Sequence, residues 1–324
     1  MSDVLREKRA KFADEHLPLD LSNKPRPSTS LTPIFSIKKI IIIDTKNIIK
    51  EKEKNNTVNT SIITVSNNFS DIPNNLLNIE LNLSINLDKL NYNNPIDYIY
   101  CPIIYAKTVH FNYLNKYCRD KKNIMILGMN PGPWGMSQTG VPFGEINIVI
   151  DWLKINGHID KPKRQHEQRQ VDGFSCKRSE ISGRKFWSLF KKLSNNPDTF
   201  FRHCFLRNYC PIALMDSQGR NITPAEIKGP EQKKLQEFCD QALIEVIKIL
   251  DVKVIIGVGR FSEQRAKKVV KTAKLSTKVL WMIHPSPRAT IGKNWQNLTL
   301  DFLKKENLIE YFIDDNSTTD FEVF

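Results

Sequence analysis

The stretch NIMILGMNPGPWGMSQTGVPFGE, residues 123–145, decides how the rest of the chain is read. It begins with Asn123–Gly128, a short aliphatic run that stops at a glycine, the pattern of a buried strand. From Gly128 to Glu145 five glycines and three prolines occupy eighteen residues, too many for helix or strand to continue. All thirteen glycines of the 324-residue chain lie at or after Gly128, which places the tight turns, and with them the chemistry, downstream. Three further runs share the character of the first: His203–Tyr209, Lys253–Val258 and Lys278–Ile283. Helical spacing marks Glu145–Asn156, Arg184–Leu193, Pro230–Leu250, Arg260–Ala273 and Lys293–Glu306. In Pro230–Leu250 the apolar residues Leu235, Phe238, Ala242, Val246 and Ile249 recur three or four apart, which predicts a face packed on a sheet. Short strands alternating with helices predict an α/β domain from about Ile96 onward, its strands joined by crossovers and therefore parallel.

Each predicted strand runs into a distinctive group: Gly128-Met129-Asn130-Pro131-Gly132, Asn208, Gly257-Val258-Gly259, and His284-Pro285-Ser286-Pro287. Ligands of open parallel sheets bind at the carboxyl ends of the strands, so the four groups are expected to converge on one crevice. Asn130 offers a neutral amide suited to orienting a water, and Phe143, between Pro142 and Gly144, offers a flat ring or an ordinary core aromatic. His284 opens the sequence HPSPR, and a histidine there can donate a hydrogen bond to a leaving group that becomes negative, or serve a structural role. Arg288, Lys293 and Trp295 add cations and a ring, a mixture suited to phosphate contact and base stacking and equally found on a solvated helix start. Other chemistries are excluded. No Gly-Lys-Ser/Thr follows the glycines, and neither Gly-x-Ser-x-Gly nor His-Glu-x-x-His occurs. Glu145 is the only carboxylate of the loop, where a two-carboxylate glycosidase would need a pair.

Composition bounds the rest. No apolar run approaches the ~18 residues of a membrane span, and Met1–His16 alternates charges where a secretory signal would be apolar. Lys plus Arg number 48 against 35 Asp plus Glu, a formal +13 that favours a polyanionic partner. Most of the excess belongs to residues 97–324, with 35 basic and 24 acidic side chains, against 13 and 11 in residues 1–96. The six cysteines form no Cys-x-x-Cys pair and have no histidine at ligand spacing, so they read as buried, reduced thiols and no metal site is expected. Residues 41–100 hold 14 Asn and 12 Ile, a compositional bias more than an architecture. Residues 1–95 are accordingly expected to be a largely disordered, low-complexity region, followed by a folded domain at 96–310 and a tail at 311–324. Lys161-Pro162-Lys163-Arg164 is a solvated basic loop or a short nuclear signal.

These residues resemble the single-strand-selective monofunctional branch of the uracil-DNA glycosylase superfamily. GMNPGPWGMSQTGVPFGE is similar to that family's first active-site motif and HPSPR to the start of its second, with HCFLRNYCPIALMDSQGRNITPAEI (203–227) and VIIGVGRFSEQRA (254–266) between them. The resemblance spans about Ile96 to Leu308. It implies a three-layer α/β/α fold around a mainly parallel four-stranded sheet, and excision of uracil, 5-hydroxymethyluracil and other oxidised uracils from single- and double-stranded DNA without cofactor. A nuclear location and a monomeric state are further expectations. Asn130 would position the attacking water and His284 would stabilise the departing base at O2. Asn208 would pair with the uracil edge, Phe143 would stack on the ring, and Met129, Gly132 and Met136 would line the base, the last two at its 5-position. Arg288 would wedge into the duplex, with Ser286, Pro287 and Lys293 contacting DNA beside it. Trp134 stands where family members carry Phe, and ATIGKNW after HPSPR is one residue shorter than the usual stretch. The nearest rivals are a mismatch-directed thymine or uracil glycosylase and a damage-binding module without catalysis.

Overall fold

The computed structural model describes residues 71–314. In chain order the elements are α1 (Ile72–Asp88), β1 (Tyr98–Tyr100), α2 (Pro102–Tyr105), α3 (Lys107–Tyr117), β2 (Ile124–Gly128), α4 (Met136–Thr139), α5 (Ile181–Ser194), α6 (Pro197–His203), β3 (Cys204–Asn208), β4 (Ala213–Met215), β5 (Asn221–Ile222), α7 (Pro230–Leu250), β6 (Val254–Val258), α8 (Arg260–Thr272), β7 (Lys278–Met282) and α9 (Trp295–Lys305). Four of the strands form one sheet in the order β3-β2-β6-β7, parallel throughout, and they are the four aliphatic runs seen in the sequence. Every residue of β2, β3 and β6 is buried, so both faces of the sheet are covered by helices, the three-layer α/β/α arrangement. The edge strand β7 begins at an exposed Lys278 and is only partly covered. Register pairs Gly128 with Asn208 and Leu127 with Gly257, which brings the strand ends level at one rim. A side chain at Gly257 would collide with the backbone of Glu263, so the missing Cβ lets α8 lie directly on the sheet.

The domain begins earlier than the composition suggests. Asp71 caps α1 by accepting a 3.3 Å hydrogen bond from the Asn74 backbone, and Pro73 occupies the first turn, where its missing N–H costs nothing. Leu76, Leu77, Leu83 and Leu87 form a stripe that packs on α3 and α7. Residues 71–95 therefore belong to the fold, and the expected boundary at 96 is corrected. The Asn-rich remainder of α1 faces outward, and Glu80 and Ser84 interrupt the stripe, which hides its period in the sequence. At the other end Phe312 is buried, packs 5.1 Å from Phe190 and accepts from Ser194 Oγ at 2.6 Å, so the core extends past residue 310. The expectations for residues 1–70 and 315–324 lie outside the described residues.

Other differences are local. Glu145–Asn156 is not a regular helix but one wide π turn at Ile148–Trp152, closed by Leu153 N–H donating to Ile148 O at 2.8 Å. The buried stripe of α7 is Leu235, Cys239, Ala242, Leu243, Val246, Ile247 and Leu250, and Phe238, expected inside, is 39% exposed. The neighbouring Cys239 takes its place on the covered face, because a free cysteine packs as a small hydrophobe. All six cysteines are buried and free. A second, antiparallel sheet, β1-β4-β5, was not legible because strands of two or three residues carry no measurable period.

Candidate active site

The strand ends meet at a cavity of about 240 Å³, lined by Met129, Asn130, Pro131, Gly132, Phe143, Glu180, Ser182, Asn208, Asn221, Thr223 and His284. That volume lies below the ~300–1,000 Å³ of drug-sized ligand sites, and it suits one small ring. Six residues singled out in the sequence, from all but the β6 end, are thus brought together: Met129, Asn130, Gly132, Phe143, Asn208 and His284.

His284 is fixed by its neighbours. The Ser286 backbone N–H donates to Nδ1 at 3.0 Å, so Nδ1 is the acceptor and Nε2 carries the proton. Burial pushes the imidazole pKa down to about 4, so the ring is neutral near pH 7 and remains a hydrogen-bond donor without being an acid. The Asn130 amide is fixed in the same way. Its Nδ2 donates to Pro131 O and to Asn221 Oδ1, both at 3.3 Å, and since a carbonyl only accepts, Oδ1 is left to accept from a water. Asn208 sits at the end of β3 with Nδ2 against Met136 Sδ at 3.2 Å. Met136 is buried behind Asn208 and absent from the cavity wall, so its side chain acts on the site through that amide.

Phe143 has a positive φ of 51°, a backbone conformation costly for an aromatic residue. Its carbonyl accepts from Trp187 Nε1 and from Glu145 N–H, each at 2.9 Å, and its ring stacks on Phe186 at 5.0 Å, which together hold it there. The loop is tied down by Gln138, fully buried. Its Nε2 donates to Pro133 O and Gln170 O at 3.0 Å, while its Oε1 accepts from Asp172 N–H and Gly173 N–H at 2.9 and 3.2 Å. Glu145 is structural, accepting from Ser179 Oγ at 3.0 Å and Ile148 N–H at 3.1 Å. Trp134 is flanked by the guanidinium groups of Arg169 and Arg178, at 5.1 and 4.6 Å from its ring.

The DNA-contact residues read from the sequence stand outside the cavity. Pro287, Arg288 and Lys293 are exposed and Ser286 is half-buried, on a segment anchored by Thr290 Oγ1 donating to Ser286 O at 3.0 Å. Trp295 is corrected: it is buried, donates to Ile283 O at 2.8 Å and neighbours Phe186, so it belongs to the core and offers no stacking surface. Ile291, 78% exposed at the tip of the same segment, is an apolar projection that sequence reasoning missed. Glu180, Ser182, Asn221 and Thr223 were missed as well. They are single polar residues on connections and at element ends; Asn221 and Thr223 fall within the quoted stretch 203–227, but nothing local distinguishes them from its other polar residues. Among the described residues no three His, Cys, Asp or Glu side chains cluster closely enough to hold a metal ion, and no helix is long and apolar enough to cross a membrane.

An amide that can orient water, a neutral imidazole donor and a stacking ring around a one-ring cavity can hydrolyse a bond to a flat heterocycle that leaves as an anion. The family model described as the uracil DNA glycosylase superfamily matches residues 115–308. The chain is 41% identical over 239 residues to the single-strand selective monofunctional uracil DNA glycosylase of Mus musculus, covering 74% of this chain and 86% of that one. Against the Bos taurus enzyme of the same name the figures are 41% over 231 residues, 71% and 85%. The crystal structure of Pedobacter heparinus SMUG2 superposes with a TM-score of 0.50 at 17% identity, covering 71% of this chain and 97% of that one, a likeness of fold. The chain belongs to the uracil-DNA glycosylase superfamily. It is a DNA glycosylase, a hydrolase of N-glycosidic bonds that excises uracil from DNA, and its similarity is to the single-strand-selective monofunctional enzymes.

One glycine of the site is testable at once. A Cβ on Gly128 would collide with Asn208 Oδ1 and stand 2.8 Å from Phe143 Cε2. Gly128→Ala is expected to displace both groups and to lower single-turnover uracil excision by about 100-fold in a folded protein. A rate within about twofold of wild type would show that neither group needs its present place.

Proposed function

We propose that this enzyme removes 5-hydroxymethyluracil and related oxidised uracils as well as uracil, from single- and double-stranded DNA, and leaves an abasic site. The observation that carries this reading is the neutral His284, its Nδ1 engaged by Ser286 N–H and its Nε2–H available as a donor beside Asn130 and Asn208. A nucleotide flipped from the duplex would stack its base on Phe143 and pair its edge with the Asn208 amide, with Met129 and Gly132 completing the wall and Met136 supporting it from behind. Heterolysis of the C1′–N1 bond leaves the electron pair on the base, and Nε2–H of His284 hydrogen-bonds to O2 as negative charge develops there. The sugar becomes cationic at C1′, and a water held by Asn130 Oδ1 adds to it and releases a proton. A neutral amide orients that water more than it deprotonates it, so the barrier falls mainly through stabilisation of the leaving base. Arg288 and the exposed Ile291 suit a wedge that holds the emptied stack open, with Ser286, Pro287 and Lys293 against the backbone. The basic charge balance supports DNA binding, and the basic run Lys161, Lys163 and Arg164 supports a nuclear location.

The test is single-turnover excision, with EDTA present, from oligonucleotides carrying one uracil, one 5-hydroxymethyluracil, or thymine opposite guanine, each single- and double-stranded. Release of the first two and not of thymine is expected. Release of thymine at a comparable rate would favour a mismatch enzyme, and failure on 5-hydroxymethyluracil would confine the enzyme to uracil.

A further inference from the structure

Glu180 lines the cavity yet has no part in the reaction as described. It stands immediately before α5, and its side chain makes no capping bond there. Its Oε2 is closed off from solvent and has no hydrogen-bond partner among the described residues. A buried polar atom left unpaired is costly, which makes a carboxyl that carries one and lines a binding wall a candidate contact for a ligand. The neighbouring Glu145 differs in having both oxygens engaged, by Ser179 Oγ and Ile148 N–H. The opposing loop is thinned to admit Glu180: a Cβ at Gly132 or at Gly135 would collide with its carboxyl. Gly132 lines the cavity and Gly135 stands behind it, so the carboxyl is seated between the cavity wall and the loop.

The chemistry of the base says which of its atoms meets that point. The polar groups O2, N3–H and O4 run along one continuous edge of uracil, and His284 and the two-way amide of Asn208 suffice for them. C5 then turns to the remaining wall, where Gly132 and Glu180 lie. We propose that Glu180 is a specificity-determining residue, its carboxyl supplying the hydrogen-bond partner for a hydroxyl carried on C5 of the extruded base. The proposal rests on the reading of the cavity as the seat of uracil and its 5-hydroxymethyl derivative. Burial, with Glu145 nearby, raises the Glu180 pKa to about 7, and in either protonation state the group accepts from a hydroxyl. A methyl group in the same place would bury the oxygen against carbon, so one residue admits the hydroxymethyl base and disfavours thymine. Unsubstituted uracil leaves room for a bridging water.

The experiment compares single-turnover rates on 5-hydroxymethyluracil and uracil within each of three proteins: wild type, Glu180→Met and Glu180→Gln. Taking a ratio within one preparation cancels any difference in active fraction, and Glu180→Ala reads the same ratio if the Met variant does not fold. The ratio is expected to fall about 10- to 100-fold in Glu180→Met, with thymine release rising, and to stay within about threefold of wild type in Glu180→Gln. An unchanged ratio in Glu180→Met, including an equal loss on both substrates, overturns the proposal. So does an equal fall in Glu180→Gln, which would make shape rather than hydrogen bonding the determinant. A wild-type enzyme that excises uracil and not 5-hydroxymethyluracil overturns the substrate reading itself, independently of the variants.

Discussion

His284→Ala is expected to slow single-turnover uracil excision by about 10²–10³-fold while the affinity for uracil-containing DNA stays near that of wild type. The magnitude is that of losing one preorganised donor at a site of developing negative charge. Binding should survive because the ring meets its charged partner only as the glycosidic bond breaks, so the loss falls on the transition state. The geometry adds a sharper requirement. With Nδ1 accepting from Ser286 N–H and a pKa of about 4, the ring should hold its proton on Nε2 from pH 8 down to about pH 5. Nitrogen NMR of the labelled ring should show that tautomer throughout, and protonation near pH 6.5 would remove the neutral-donor mechanism. The same shift bears on stability. The native ring titrates below its unfolded value of 6.5, so its contribution is complete above pH 6.5 and is lost as pH falls toward 4, when the unfolded chain alone takes up the proton. Asn130→Ala should also lose rate rather than binding, and an undiminished single-turnover rate would take Asn130 out of the reaction.

Glu80→Ala is expected to destabilise the domain by about 3–5 kcal/mol, and deletion of residues 1–90 to leave no soluble enzyme. Glu80 projects from α1 into the core, where His110 Nε2 lies 2.5 Å from Oε2 and Arg207 Nε lies 3.3 Å from Oε1. All three side chains are at most 5% exposed. Burial alone would raise the Glu80 pKa, but His110 and Arg207 outweigh it and hold the carboxyl below its usual range. The pair contribution is therefore present above the ordinary carboxylate pKa and lost as pH falls through the depressed one. Removing the carboxylate strands Arg207 in the interior with no other ion-pair partner among the described residues. The site would feel this from two sides: Arg207 precedes Asn208 on β3, and His110 Nδ1–H donates to Gly140 O of the glycine-rich loop at 2.8 Å. Urea denaturation of Glu80→Ala and Glu80→Gln measures the cost, and a midpoint unchanged from wild type in the alanine variant would refute it.

Much of this molecule is legible in the order of its residues alone. Four aliphatic runs ending in glycine, asparagine or histidine specify four parallel strands, because strands covered on both faces are mostly aliphatic, with Arg207 of β3 the buried exception. The density of glycine and proline from Gly128 to Glu145 marks the binding loop, since it confines regular structure there to the single turn of α4. Asn130, Phe143, Asn208 and His284 can be named because each sits beside such a local signal. What only the tertiary structure decided is the environment of those groups and the identity of their distant partners. Glu80 reads as one more polar residue in an Asn-rich segment until α1 docks and carries it to Arg207, 127 positions away. Glu180 acquires its unsatisfied oxygen only where two glycines of another segment meet it, and Asn221 orients Asn130 across 91 positions. The protonation state of His284 belongs to the same class, set by burial and one backbone N–H. Strand periodicity and turn chemistry are properties of neighbours along the chain, whereas desolvation, charge pairing and amide orientation depend on neighbours in space, which the packed fold alone supplies.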